Sequence, residues 1–212
     1  MIICCKGGDV MFITLEGIDG CGKSTQARLL CEALSARGAV VQTREPGGWE
    51  GGAELRSMVL GGSLKHPWSE LFLFLLDRAE HAARVITPAL EAGKHVVCER
   101  YHDSTLAYQV WGRGMPFEPL RGAAELAGFP KPEVTVLFDV EPELALSRVA
   151  KRGRPDAFES EGLAFMHRIA EGYRALAAAD EERWLVVKCG ERTEEEIFAE
   201  MKRGLAGKGL SL

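Results

Sequence analysis

No apolar run in this 212-residue chain approaches the ~18 residues needed to span a membrane. Metal-ligand spacing is missing as well. The six cysteines fall at positions 4, 5, 21, 31, 98 and 189, and the five histidines are scattered, so no structural zinc is expected. Only Cys4 and Cys5 are close together, which suits free thiols in a reducing cytoplasm. Basic excess is absent: the net charge is −5 and the pI about 5.6. That argues against a nucleic-acid partner held by overall charge, and an anionic ligand then needs a local cluster of Arg and Lys. No Asn-Lys-x-Asp motif exists to read guanine, which argues against a GTPase. No repeat, linker or low-complexity segment is visible. Residues 1–10 are too short and badly flanked for a signal peptide. They are expected to be an N-terminal extension, or translation begins at Met11, with one domain over residues 11–212.

Against these absences stands one strong motif. Gly17-Ile18-Asp19-Gly20-Cys21-Gly22-Lys23-Ser24-Thr25 fits G-x-x-x-x-G-K-[ST] without a mismatch. A short apolar run, Met11 to Glu16, precedes it and reads as a strand. Leucines at 29, 30 and 34 give Gln26 to Arg37 helical spacing. Glycines let backbone N–H groups turn inward around a phosphate, and the following helix adds its positive end. Lys23 supplies a charge to the β- and γ-phosphates, and Ser24 or Thr25 can ligate Mg²⁺. Cys21, just ahead of a helix N-terminus, is either a reactive thiol that ATP would protect or a small packing residue.

The rest of the chain alternates. Strands are expected at Val40–Arg44, His95–Cys98, Val134–Phe138 and Trp184–Val187. Helices are expected at Ala53–Leu60, from Pro67 to about Ala92 with a kink at Pro88, at Ser104–Val110, Pro119–Ala127, Pro142–Ala150, around Leu163–Ala177, and at Thr193–Arg203. Lys151 to Asp156 is polar and basic and reads as a loop. The fold class is α/β, a five-stranded parallel sheet with helices on both faces. Ligands gather at the carboxyl ends of such strands, where Asp19, Arg44, Glu99 and Asp139 fall.

Arginines recur at those ends or on facing helices: Arg44, Arg56, Arg78 and Arg100. Guanidinium forks suit a second, stationary phosphate. A basic stretch with Arg148, Lys151, Arg152 and Arg154 can close on the moving phosphoryl group.

These residues resemble the bacterial thymidylate kinase family from Phe12 to about Lys202. The resemblance rests on the glycine loop, Thr43 to Gly48, Leu73 to Arg78, Glu99-Arg100-Tyr101, Ser104 to Gln109 and the basic lid at about 150–159. It implies a P-loop nucleoside monophosphate kinase fold and transfer of the γ-phosphoryl group of ATP to dTMP, with Mg²⁺ and as a homodimer. It implies that Asp19 meets the deoxyribose 3′-hydroxyl, and that Arg44, backed by Glu45, sits between the two substrates' phosphates. Arg56 and Arg100 would hold the dTMP phosphate. Phe74 would stack on thymine, Arg78 and Gln109 would address its polar edge, Ser104 would touch the base, and Tyr108 would crowd the 2′ position. Lys23, Arg44, Arg100, Arg152 and Arg154 would be catalytic, and Ser24 and Glu99 would serve the metal. Two positions depart from the family pattern. Glu99 stands where Asp is common, and the lid reads Asp156-Ala157-Phe158-Glu159 where Asp-Arg-Phe-Glu is common, so Arg152 or Arg154 must supply the missing lid charge.

Two rivals remain. Glu-Arg after the third strand also resembles deoxynucleoside kinases, which need a carboxylate base for an alcohol acceptor. A monophosphate, with a second pKa near ~6, is already dianionic and needs none. Cations outnumber carboxylates around the inferred acceptor position, which favours the monophosphate. Residue chemistry alone does not rank Glu99 against Asp139 as metal partner; the resemblance selects Glu99. The altered motif positions also leave room for a nucleotide-binding regulator without catalysis.

Overall fold

The computed structural model describes residues 10–151, 157–158, 161–210 and 212. Five parallel strands form one sheet in the order β2-β3-β1-β4-β5: β1 (Phe12–Glu16), β2 (Val40–Arg44), β3 (His95–Glu99), β4 (Val134–Asp139) and β5 (Trp184–Lys188). β1 and β4 are buried along their whole length, which explains their mostly apolar runs. The outer strand β2 is half exposed and keeps polar residues. Register places Arg44 beside Glu99, and Leu15 beside Glu99 on the other flank. Four strands therefore end together on Glu16, Arg44, Glu99 and Asp139.

The two faces of β1 differ. Ile13 and Leu15 join the main core with Ala27, Leu30 and Leu34 of α1 (Lys23–Ser35). Phe12 faces the other way, edge-on to Tyr101 at 5.1 Å, with Val96, Cys98 and Ile86. Thr14 and Glu16 share that second face but are polar and fully buried. Thr14 Oγ1 and Thr135 Oγ1 lie 2.8 Å apart, a partnership that burial of a hydroxyl demands.

The remaining helices are α2 (Gly52–Leu60), α3 (Pro67–His81), α4 (Thr87–Glu91), α5 (His102–Thr105), α6 (Phe117–Ala127), α7 (Pro142–Ala150), α8 (Leu163–Ala179) and α9 (Glu194–Gly207). α9 opens with a capping box: Thr193 accepts from Glu196 N–H, and Glu196 accepts from Thr193 N–H.

Three expectations need correction. α1 begins at Lys23 rather than Gln26, so Lys23, Ser24 and Thr25 form its first turn. The long helix from Pro67 does not simply kink at Pro88. It widens into a π-helical stretch, Ala82–Ile86, before α4. Pro88 has no N–H for the carbonyl four residues back, and the wider turn absorbs that loss. The Ser104–Val110 helix starts two residues earlier, as α5, and is π-helical over Leu106–Gly112. Among the described residues no helix is long and apolar enough to cross a membrane.

Candidate active site

A cavity of about 840 Å³ opens at the carboxyl ends of β1, β2 and β3. Its floor is the glycine loop. Gly20 has φ +87°, and a Cβ there would stand 2.3 Å from the Ala145 carbonyl oxygen of α7, so only glycine lets the loop pack so closely. Lys23 Nζ donates to the carbonyls of Gly17 and Ile18, at 2.9 and 3.0 Å. Thr25 and the Gly20–Ser24 run line the same wall. Arg148 donates to Gly20 O at 3.4 Å and Gly190 O at 2.6 Å. Cys21 is buried, 1% exposed, and its sulfur lies where a Gly17 Cβ would have to go. Of the two readings of this thiol, burial supports packing.

Ser24 Oγ donates to Glu99 Oε2 at 2.6 Å. A hydroxyl and a carboxylate side by side are hard oxygen donors, which suits Mg²⁺. Asp139, the alternative, faces elsewhere: it accepts from Arg174 Nε at 2.9 Å and from Lys188.

The next layer is built on Arg100. Its φ is +64°, a left-handed backbone rare for a side chain of this size. Nη2 donates to Asp19 Oδ1 at 2.7 Å and Tyr108 OH at 3.0 Å, while Nη1 meets Ser104 Oγ and Tyr173 OH at 3.2 Å each. Tyr108 also donates to Asp19 Oδ2 at 3.0 Å. Burial by itself would raise the Asp19 carboxyl, but the charges of Arg100 and Lys23 outweigh it and hold it well below the usual carboxylate range.

Beneath this layer lies Glu16, which the sequence reading left out. Its Oε1 accepts from Tyr101 N–H at 2.8 Å, and its Oε2 accepts from Ser104 and Tyr173 hydroxyls at 2.5 and 3.0 Å. Burial, with the Asp103 charge adding to it, pushes Glu16 up to about 7. Its place as the last residue of β1 was a usable signal.

At the far end, Glu45 is buried between two cationic or donor groups. Arg78 Nε and Nη2 donate to Oε2 at 3.0 and 2.7 Å, and His81 Nδ1 lies 3.0 Å from Oε1. Arg78 Nη2 also reaches Thr105 Oγ1 at 2.9 Å. Arg56 Nη1 donates to the Pro46 carbonyl at 2.9 Å. Arg44, exposed at the end of β2, lines the cavity beside Glu45. Phe74 forms a wall with Gln109 and with Phe158, whose ring lies 6.1 Å from Phe74 and edge-on to Tyr108 at 5.5 Å. Phe158, expected in the lid, is thus part of the wall. Ala157 N–H bonds Leu60 O at 3.1 Å, fastening it to the end of α2. Arg152 and Arg154, with Asp156 and Glu159, lie outside the described residues.

The cavity therefore gathers Asp19, Arg44, Glu45, Arg56, Phe74, Arg78, Glu99, Arg100, Ser104, Tyr108 and Gln109 with the loop. It can hold an anion at the glycine loop and a second anion below an apolar slot. Arg192 and Thr193 to Glu195 border its loop end and were not foreseen, since nothing in their sequence separates them from an ordinary helix start.

Comparison with known proteins fits this arrangement. A family model described as Thymidylate kinase matches residues 15–200. A thymidylate kinase of Solidesulfovibrio magneticus is 45% identical over 210 residues, covering 93% of this chain and 99% of that protein. One from Deinococcus radiodurans is 43% identical over 202 residues, covering 94% and 98%. A crystal structure of thymidylate kinase from Ehrlichia chaffeensis superposes with a TM-score of 0.78 at 31% identity, covering 93% of this chain and 99% of that one. With a phosphate-binding loop, a second cationic cluster and this likeness over nearly its whole length, the chain belongs to the thymidylate kinase family.

Proposed function

We propose that the cavity carries out its family's reaction as direct in-line transfer of the γ-phosphoryl group of ATP to the phosphate of dTMP, giving ADP and dTDP. The observation that carries this reading is the state of the carboxylates. Asp19 is bound to Arg100, and Glu45 to Arg78 and His81. Asp19, held well below the usual carboxylate range by the Arg100 and Lys23 charges, is a poor general base. A dianionic acceptor needs no base, only positioning and positive charge, which Arg44, Arg56 and Arg100 supply.

In this reading Lys23 and the loop N–H groups grip the ATP phosphates. Ser24 and Glu99 hold Mg²⁺, which neutralises charge on the bridging oxygens. Phe74 stacks on the base, Tyr108 crowds the 2′ position, and Asp19 meets the 3′-hydroxyl. Arg152 and Arg154 supply the lid charge. The enzyme works in the cytoplasm as a homodimer. Trp68, Phe72 and Leu76, spaced four apart along α3 and 39%, 60% and 50% exposed, support a second copy packing on that face.

A coupled ADP-release assay with dTMP, thymidine, dUMP and AMP tests the reading. ADP with dTMP and none with thymidine is expected. ADP with thymidine alone would make the protein a nucleoside kinase, and none with any acceptor a regulator.

A further inference from the structure

Glu70 of α3 lies beside the cavity wall and none of the roles above uses it. Gln109 Nε2 donates to Glu70 Oε1 at 2.8 Å. An ionised carboxylate has no proton to give, so only the NH₂ end of the amide can face it. The Gln109 carbonyl oxygen is therefore the end left over. It is buried and has no hydrogen-bond partner among the described residues. Arg78 is in a matching condition. Its Nε and Nη2 are engaged by Glu45 and Thr105, while Nη1 is buried and unpartnered among the described residues.

Arg113 fixes Glu70 in turn. Its Nε and Nη2 lie 3.4 and 3.3 Å from the two Glu70 oxygens, and its guanidinium also pairs with Glu161 and covers the Phe158 ring at 5.6 Å. The guanidinium on that side holds the Glu70 carboxylate in place against Gln109.

We propose that Glu70 is a positioning residue for base choice: it locks the Gln109 amide with its carbonyl toward the cavity, so that the wall offers one acceptor and one donor in fixed order. This rests on the cavity holding a pyrimidine monophosphate. Thymine presents an N3–H donor beside the O4 acceptor, which matches an acceptor from Gln109 and a donor from Arg78. Cytosine presents the reverse, a bare N3 beside an N4 amine. An amide free to flip could turn its NH₂ to the cytosine N3. The carboxylate forbids that flip, because its oxygen would then face the Gln109 oxygen.

The test compares dTMP, dCMP and N3-methyl-dTMP as acceptors for the wild type, Glu70→Gln and Glu70→Leu. In Glu70→Gln the new amide satisfies Arg113 with its oxygen and offers NH₂ to Gln109, which favours the flipped state. The KM for dTMP should rise about tenfold and the dTMP-over-dCMP preference fall at least about tenfold, the scale of one mispaired buried polar group. The KM for ATP should not move. Glu70→Leu, which only releases the lock, should move both in the same direction by less. Adding either change to Gln109→Leu should leave the preference where Gln109→Leu alone puts it. The wild type should discriminate against N3-methyl-dTMP at least about tenfold, because the Gln109 acceptor loses its N3–H. Equal use of dTMP and N3-methyl-dTMP by the wild type overturns the proposal without reference to any variant. So does an unchanged preference in folded Glu70→Gln. A wild type that ignores dTMP altogether instead removes the thymidylate reading beneath it.

Discussion

Ser24 Oγ donates to Glu99 Oε2 across 2.6 Å, and that bond ties the first turn of α1 to the last residue of β3. The two elements meet only because β1 and β3 pair in register, Leu15 beside Glu99. Changing Glu99 to Gln leaves a hydrogen-bonding group but removes the charge. Such a variant should need more Mg²⁺ and lose roughly 10–100-fold in activity, the usual cost of weakening a metal's oxygen environment. A magnesium titration of initial rates checks this, and an unshifted midpoint sends the metal role back toward Asp139.

Lys23 spans the loop that it follows, with its ammonium on the carbonyls of Gly17 and Ile18. Lys23→Ala should lower kcat by ~10²–10⁴, as removal of other charge-stabilising groups does. Normal turnover in that variant would refute in-line transfer at this loop.

Much of this was legible in the sequence. β1 and β4 announced themselves because burial on both faces favours mostly apolar residues. The glycine loop was plain because Gly17, Gly22, Lys23 and Ser24 stand at the spacing a phosphate cradle needs. Glu16 was missed because it looks like the polar end of a strand; its partners arrive from two other places in the chain, Tyr101 and Ser104 from one and Tyr173 from the other. The inward turn of Phe158 was equally hidden, since its partners Phe74 and Tyr108 are far off in sequence. Helix starts drifted by two or three residues; the N-caps of α1 and α5, Gly22 and Tyr101, make no side-chain capping bond and so leave little signature.

Glu16 gives a pH prediction. Its carboxyl is raised from 4.5 to about 7 on folding, so the folded chain binds the proton more tightly than the unfolded one. The resulting stabilisation is fully present below about pH 4.5 and is lost as pH rises through about 7. Glu16→Gln keeps an acceptor for Tyr101 N–H and never ionises. Between pH 5 and 8 the variant should gain on the wild type by about 2–3 kcal/mol in urea unfolding, and a difference that stays flat across that range rejects the assignment.

The exposed stripe of α3 makes a simpler statement. Phe72 is 60% exposed and flanked one turn away by Trp68 and Leu76. Phe72→Glu places a charge in the centre of that face, which a hydrophobic contact between copies does not accommodate. Sedimentation velocity should show a dimer for the wild type and a monomer for the variant. A variant that still sediments as a dimer would put the contact on another face.

The π-helical stretch Leu106–Gly112 carries both Tyr108 and Gln109. An ordinary helix advances 100° per residue, so one amino acid more or fewer in such a stretch swings everything beyond it by about that angle. The direction in which these two neighbouring side chains point is thus written in how many residues the coil contains as much as in which they are. A relative lacking a single residue there would aim different groups at the base, and its choice of nucleotide would change although every cation around the phosphate stayed in place.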